Sequence, residues 1–419
     1  MKTTAWPQRL SRFAFRIALA LIVLGSPFAV HRASAQAGAP PGPAAAMTES
    51  DPQPTVAAAL GKGVTITSAD DKFSIGLRVR AQLRAEALET PDDDQGPVAR
   101  MFVRRMRLAL KGKAGSDALT YAVQFSFAPL DQEPDQYNPL RDAYVNWAAH
   151  RDLELRFGQM KIPYGKQRVI SSSSLTFPDR TVATGELNLD RDVGLQIHSS
   201  DLFGFGHRLG YHLGVFGGDG RNRVATRSGV LAAARLVFAP FGKFDDLVES
   251  DIERGDKPRL SLAVSGAFNE NSNRPRSTTG TPYTAGDFDY LHGGGDVMFK
   301  WHGFYLLTEA FYRHTKAKAV TGTVDGAPVT EFSRSAWGSF VQASQMLTAH
   351  AELATRYSYI KPIDSADPAF RVTHEVGIGA SYYFSAHDLK LQAEYANVGH
   401  ELFGDPNRHE LRLQFQLFL

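Results

Sequence analysis

Three arginines recur at even positions of one alternating stretch: Arg78, Arg80 and Arg84. A β-strand points successive side chains to opposite faces. The stretch Phe73–Glu86 (FSIGLRVRAQLRAE) therefore has one apolar face and one face that carries the arginines. Guanidinium groups keep their charge and bind the oxygens of phosphate or carboxylate in a forked geometry. This spacing predicts the binding of anions along one face of a strand.

More basic residues occupy polar faces further along the chain. In Met101–Lys111 the alternation is clear from Arg105 onwards and places Arg105 and Arg107 on the polar face. One arginine about 5 Å from a monoanion contributes roughly 3 kcal/mol at an effective dielectric constant of about 20. Several moderate sites in series let an ion enter and leave, whereas a single deep site would trap it. The full set predicted to line an aqueous path is Arg78, Arg80, Arg84, Arg105, Arg107, Asp142, Arg156, Lys161, Lys166 and Arg168.

The alternative is that these basic residues form ion pairs with acidic residues on the same wall and bind no passing anion. The acidic candidates for that pairing include Glu86, Asp142, Glu154, Glu309, Glu352, Glu375 and Glu394.

The longest connection between alternating stretches, Gln159–Asp192, is also basic in its first half. It contains Lys161, Lys166 and Arg168 before its first acidic residue, Asp179, and a serine run at 171–174. Ammonium, guanidinium and hydroxyl groups are all donors to an oxyanion. We predict that this connection folds inward and narrows a pore; an ordinary surface loop is the alternative.

The elements that must position these residues are long alternating strands. Sixteen such stretches occur between Phe73 and Leu419. Connections that mostly alternate between long and short join them, although Ala239–Arg259 runs to about twenty residues where a short turn is expected. An even strand number and this loop rhythm are typical of bacterial outer-membrane barrels. We predict an all-β fold, a transmembrane antiparallel β-barrel of about 16 strands with an inward-folded constriction loop. A large soluble β-sandwich is the alternative.

The N-terminal segment reads as a targeting signal. Basic residues precede an apolar run that glycine, serine and proline interrupt, and an Ala-Ser-Ala motif at 33–35 follows. We therefore predict a signal peptide at 1–35, an Ala- and Pro-rich periplasmic lead-in at 36–70 and a barrel at 71–419. The predicted location is the bacterial outer membrane, in contact with its lipid.

Composition narrows the function further. Five of the 46 basic residues lie in the predicted signal peptide, which leaves 41 basic and 44 acidic residues and a net charge of −3. That balance argues against a nucleic-acid partner. The chain has no cysteine, so disulfides and thiolate metal sites are excluded. No nucleophile elbow, zinc-protease or P-loop motif occurs, and we expect neither a cofactor nor a metal site.

Several short motifs in order resemble the phosphate-selective porin O and P family. They are Arg104-Arg105, Gly112, Asp142-Ala143-Tyr144-Val145, Gly158 to Gly165 (GQMKIPYG), Asp179-Arg180 and Arg191-Asp192-Val193-Gly194. The resemblance implies a sixteen-stranded barrel, usually trimeric, in which an arginine ladder leads phosphate or polyphosphate to a lysine-containing constriction. The chain departs from the usual terminal aromatic residue, since Leu419 follows Phe418.

We therefore predict a porin, not an enzyme, that prefers small anions such as phosphate. A weakly selective general porin is the second interpretation. An outer-membrane barrel enzyme or adhesin is the third, although no converging set of catalytic side chains is visible.

Overall fold

Antiparallel strands dominate the secondary structure of the computed structural model, which describes residues 53–90, 96–133, 136–224, 229–404 and 407–419. The predicted signal peptide lies outside these residues. The first ten strands are β1 (Thr55–Ala59), β2 (Gly63–Thr67), β3 (Ser74–Glu89), β4 (Val98–Lys113), β5 (Leu119–Ser126), β6 (Leu140–His150), β7 (Leu153–Lys161), β8 (Arg191–Ser199), β9 (Leu209–Phe216) and β10 (Leu231–Phe238). The later strands are β11 (Arg259–Ser272), β12 (Phe288–Trp301), β13 (Phe304–His314), β14 (Ala319–Val324), β15 (Ala327–Phe332), β16 (Ala336–Met346), β17 (Ala351–Pro362), β18 (Thr373–Ser385), β19 (Leu389–Gly399) and β20 (Arg408–Phe418).

Sixteen of these strands, β3 to β13 and β16 to β20, form one closed antiparallel barrel. Each pairs with its neighbours in sequence, and β20 closes the ring on β3 from His409↔Glu89 to Phe418↔Arg80. Closure leaves no unpaired strand edge, as a sheet that spans lipid requires. The predicted sixteen-stranded barrel is confirmed.

The alternation in the sequence separates two faces of the wall. Outward-facing apolar residues are exposed, for example Leu83 (49%), Val264 (62%) and Ile378 (57%), whereas the inward-facing Arg80 and Arg84 are each 4% exposed. An apolar outer face suits lipid, and a polar inner face suits an aqueous lumen.

Connections at the two mouths of the barrel differ in length. One mouth has the connections 90–97, 127–139, 162–190, 217–230, 273–287, 315–335, 363–372 and 400–407. The other mouth has 114–118, 151–152, 200–208, 239–258, 302–303, 347–350 and 386–388. The second set is short except for 239–258, whose length the sequence had already singled out.

Two small hairpins add to the barrel. Strands β14 and β15 pair within the connection 315–335. Strands β1 and β2 lie inside the segment 36–70 that we predicted to be a periplasmic lead-in. They pair with each other, and β2 also pairs with the start of β3. The turn between β1 and β2 uses Gly61 and Gly63, whose φ angles of 76° and 74° suit glycine. β1 (TVAAA) gives little alternation because it is rich in alanine, and β2 (GVTIT) alternates over too few residues to be told from a short polar turn by its sequence.

The connection 162–190 lies inside the barrel, as predicted. Its side chains Ile162, Ile170 and Leu187 are fully buried against inward-facing apolar residues such as Leu307 and Phe340. We call 162–190 the constriction loop. It contains the short helices Lys166–Val169 and Val182–Leu187; 3₁₀ turns lie at Pro129–Asp131 and Leu202–Gly204. Among the described residues, no helix has the length and apolar character needed to cross a membrane.

Candidate functional site

A cavity of about 340 Å³ lies between the constriction loop and the barrel wall, and we call it the cationic pocket. Its described lining contains three acidic residues, Asp131, Glu133 and Asp190, and hydroxyls from Ser171 and Ser172. The ten basic residues of the lining are Arg104, Arg105, Arg107, Arg141, Lys161, Arg168, Arg180, Arg191, Arg221 and Arg276. Positive charge therefore dominates this part of the lumen.

Two β-bulges bring additional arginines into the pocket. Strands β3 and β4 pair Gln82 with Arg105 but Leu83 with Val103, which leaves Arg104 as the extra residue. Arg104 and Arg105 both contact the carboxylate of Asp179, although they are adjacent in sequence. A bulge inserts one residue into a strand and re-aims its side chain.

The second bulge lies between β5 and β6. Gln124 pairs with Asp142 and Phe125 with Leu140, so Arg141 is the extra residue. Its side chain is buried and donates to the backbone oxygen of Asp131 at 2.8 Å. Strict alternation would have placed Arg141 on the outer face beside Ala143. The bulge instead adds its charge to the lumen.

Lys161 and Arg180 have no carboxylate partner among the described ion pairs. Lys161 Nζ donates to the backbone oxygens of Val169 (2.5 Å) and Ile170 (3.2 Å). Arg180 donates from Nε to the backbone oxygen of Gln167 (2.8 Å) and from Nη2 to that of Ile170 (2.6 Å). Burial, and then the positive charges of neighbouring arginines, hold the pKa of Arg180 well below its ordinary value. A negatively charged ligand would relieve this repulsion.

Other cations of the pocket are paired. Arg107 contacts Asp131 at 2.5 Å, and Arg168 Nε donates to Asp190 at 2.9 Å. Burial raises the pKa of Asp131, but the guanidinium groups of Arg107, Arg141 and Arg105 outweigh it and hold this pKa well below its usual range. These carboxylates therefore stay ionised and cancel part of the positive charge.

The structure brings together most of the residues that the sequence predicted for the site. Arg105, Arg107, Lys161 and Arg168 line the pocket. Asp142 pairs with the pocket residue Arg191 at 2.9 Å.

Arg80 and Arg84 reach the constriction loop from the wall beside the pocket. Arg80 donates to the hydroxyl of Ser172 at 3.0 Å. Arg84 contacts Asp179 and donates to the backbone oxygen of Pro178 at 3.1 Å.

Three predicted residues lie elsewhere. Arg78 pairs with Asp388 at the opposite mouth (2.7 Å), and Arg156 donates to Asn146 at 3.0 Å. Lys166 pairs with Asp246 of the connection 239–258. Periodicity predicted a lumenal position for Arg78 and Arg156, and the basic inward connection predicted one for Lys166, but neither pattern could give the depth or the partners of these side chains.

Six basic residues of the pocket were not predicted: Arg104, Arg141, Arg180, Arg191, Arg221 and Arg276. A signal is present for Arg104, Arg180 and Arg191, since they occur in the motifs Arg104-Arg105, Asp179-Arg180 and Arg191-Asp192. The bulges hide the inward orientation of Arg104 and Arg141 from the alternation. Arg221 and Arg276 lie in connections whose folding leaves no periodic signal.

Solved structures with a similar fold include a porin and an outer membrane channel. The anion-selective porin from Comamonas acidovorans aligns over 83% of this chain and 100% of its own, with a TM-score of 0.53 and 11% identity. OmpF of Salmonella typhi, in complex with daunomycin, covers 84% and 99%, with a TM-score of 0.53 and 14% identity. The outer membrane channel DcaP of Acinetobacter baumannii covers 82% and 97%, with a TM-score of 0.52 and 13% identity. At these identities the likeness establishes the fold.

A comparison with curated proteins found no significant match. The profile of the family described as phosphate-selective porin O and P matches residues 73–417, which is nearly the whole barrel. Together with the closed barrel, this match identifies the chain as an outer-membrane channel that belongs to the phosphate-selective porin O and P family.

Proposed function

We propose that this porin prefers small anions and that phosphate-like oxyanions bind in the cationic pocket as they pass. One observation carries the proposal: the pocket has ten basic and three acidic described lining residues, and Lys161 and Arg180 contact only backbone oxygens. The family description and the printed name of the Comamonas porin are consistent with it.

The chemistry follows from the donors that surround the cavity. Guanidinium groups present paired N–H donors that match an oxyanion, and the hydroxyls of Ser171 and Ser172 add neutral donors. Arg80 and Arg84 continue the series of charges along the wall, so an ion exchanges one set of donors for the next. The family resemblance also implies a homotrimer in outer-membrane lipid, which we include in the proposal.

The reversal potential of single channels in a salt gradient tests the proposal. We expect anion selectivity in the wild type and a shift towards zero in Lys161→Gln/Arg180→Gln, with weaker block by inorganic phosphate. Arg78→Gln is the matched control, because Arg78 lies at the opposite mouth and is paired with Asp388. Cation selectivity of the wild type would contradict the proposal.

A weakly selective general porin is the second candidate. The ion pairs of Arg105 with Asp179 and of Arg107 with Asp131 favour it, because they cancel charge that would otherwise attract anions. An unselective reversal potential, unchanged in the double variant, would support this candidate instead.

A further inference from the structure

The connection 239–258 enters the lumen from the mouth opposite to the one from which the constriction loop enters. Every other barrel connection at that mouth has at most nine residues. Glu249, Ser250 and Asp251, near its middle, are at most 2% exposed. The centre of this connection is therefore packed inside the barrel, and the connection is more than a turn between strands.

Its buried centre contacts the constriction loop directly. The carboxylate of Glu249 accepts hydrogen bonds from the backbone N–H of Thr176 (2.7 Å) and from Gln167 Nε2 (3.2 Å). The N–H of Glu249 donates to the backbone oxygen of Ser174 at 2.9 Å, and the hydroxyls of Ser250 and Thr176 lie 2.9 Å apart. Two segments far apart in sequence are thus joined through both backbone and side chains.

The same connection is attached to the barrel wall. Gln342 of β16 donates to Glu249 at 2.8 Å. Lys300 of β12 donates to the backbone oxygens of Asp245 (3.1 Å) and Val248 (2.6 Å). His387 contacts the backbone oxygen of Glu249 at 3.1 Å. Because these partners belong to strands and to a short turn, Glu249 is held in a fixed place.

A short path links Glu249 to the cationic pocket. Gln167 donates to Glu249 from its side chain, and its backbone oxygen accepts from Arg180 Nε at 2.8 Å. The three bonds to the Glu249 carboxylate all come from N–H donors. A glutamine there would turn its own amide towards at least one of them.

We propose that Glu249 is a positioning residue, which holds the constriction loop from the opposite side of the lumen and so fixes the pocket residue Arg180. In this view the connection 239–258 is a second constriction element, and the two elements support each other.

Single-channel recordings of Glu249→Gln test the proposal. We expect a larger and noisier conductance, and a reversal potential shifted towards zero, because the loop and Arg180 lose their support. Glu253→Gln is the matched control, since it removes the same charge from the same connection but from an exposed side chain that pairs with Arg259. A conductance and noise of Glu249→Gln equal to those of the control would overturn the proposal.

A disulfide between the two segments tests their contact directly. This test depends neither on ion preference nor on whether the Glu249→Gln variant assembles. The chain has no cysteine, so Thr176→Cys/Ser250→Cys would introduce the only two thiols. The hydroxyls that these thiols would replace lie within reach of a disulfide. We expect the bond to form in the folded barrel without loss of conductance. Persistently free thiols in folded channels would overturn the contact, whereas anion selectivity tests the proposed function separately.

Discussion

At the scale of single residues, Asp179 controls how much positive charge the pocket offers. Its carboxylate contacts Arg84, Arg104 (3.3 Å) and Arg105 (2.7 Å). Burial raises the pKa of Asp179, but these three guanidinium groups outweigh burial and hold it well below its usual range. One ionised carboxylate thus neutralises part of a cluster that a mobile anion would otherwise meet.

We expect Asp179→Asn to increase anion selectivity and to destabilise the barrel by about 3 kcal/mol, because it leaves buried guanidinium groups unpaired. Reversal potentials and urea unfolding midpoints measure the two effects. Asp364→Asn, which removes an exposed partner of Lys318, is the control. Unchanged selectivity would mean that Asp179 does not limit the charge of the pocket.

The stability of the barrel at low pH gives a second test of Asp179→Asn. Since the pKa of Asp179 is depressed in the folded state, its contribution to stability is present at neutral pH and is lost as the pH falls below about 3.8, the ordinary value, towards the folded one. The variant has no such contribution and should lose less stability on acidification than the wild type.

The sequence predicted much of the site at this scale, but not its charge balance. Alternation placed Arg80, Arg84, Arg105 and Arg107 on the inner face, where they lie. It could not show that Asp179, more than 70 residues further along the chain, forms ion pairs with arginines of this wall. Ion pairs between a wall and an inserted loop depend on tertiary packing, for which a period of two holds no information.

At the scale of elements, the constriction loop fits the wall at a position where a strand has no side chain. A Cβ atom built on Gly379 of β18 would lie 2.7 Å from the ring of Phe177 in the loop. Phe177 is 1% exposed, so its ring has no free space to move into. The sequence predicted both the strand and the inward loop, but a glycine in a strand did not reveal which aromatic ring would approach it.

We therefore expect Gly379→Ala to displace the loop at Phe177, to cost roughly 1–3 kcal/mol of stability and to change single-channel conductance. Gly266→Ala in β11 is the matched control, because its Cβ would lie at an ordinary contact distance of 3.8 Å from the backbone oxygen of His292. Equal conductance and equal unfolding midpoints in the two variants would show that this fit is loose.

At the scale of the whole molecule, placement of charge matters more than its sum. The predicted mature chain has a net charge of −3, yet its pocket is strongly positive. The ring of sixteen strands could be predicted because a period of two recurs in every strand. The hairpin of β1 and β2 could not, because its strands have only five residues each. The packing of 239–258 could not either, because that segment has no period of two.

Processing of the N-terminus gives a prediction at this scale. We expect the protein extracted from outer membranes to begin at Gln36, because the Ala-Ser-Ala motif at 33–35 fits signal peptidase. Intact mass spectrometry measures this directly. A membrane form that retains residues 1–35 would contradict the assignment of a cleaved signal.

We expect the seam between β3 and β20 to form late in assembly. Arg84 donates to Gln414 at 2.7 Å, and Gln82 donates to Gln416 at 2.5 Å, across more than 300 residues of chain. Contacts between residues so far apart in sequence form late, because the chain loses the entropy of a long loop before the new contacts stabilise it. Until β20 pairs with it, β3 has an unsatisfied edge from Arg80 to Glu89, and Arg84 lacks the amide of Gln414. β3, whose arginines face the lumen, is thus the strand that gains its second neighbour last during biogenesis.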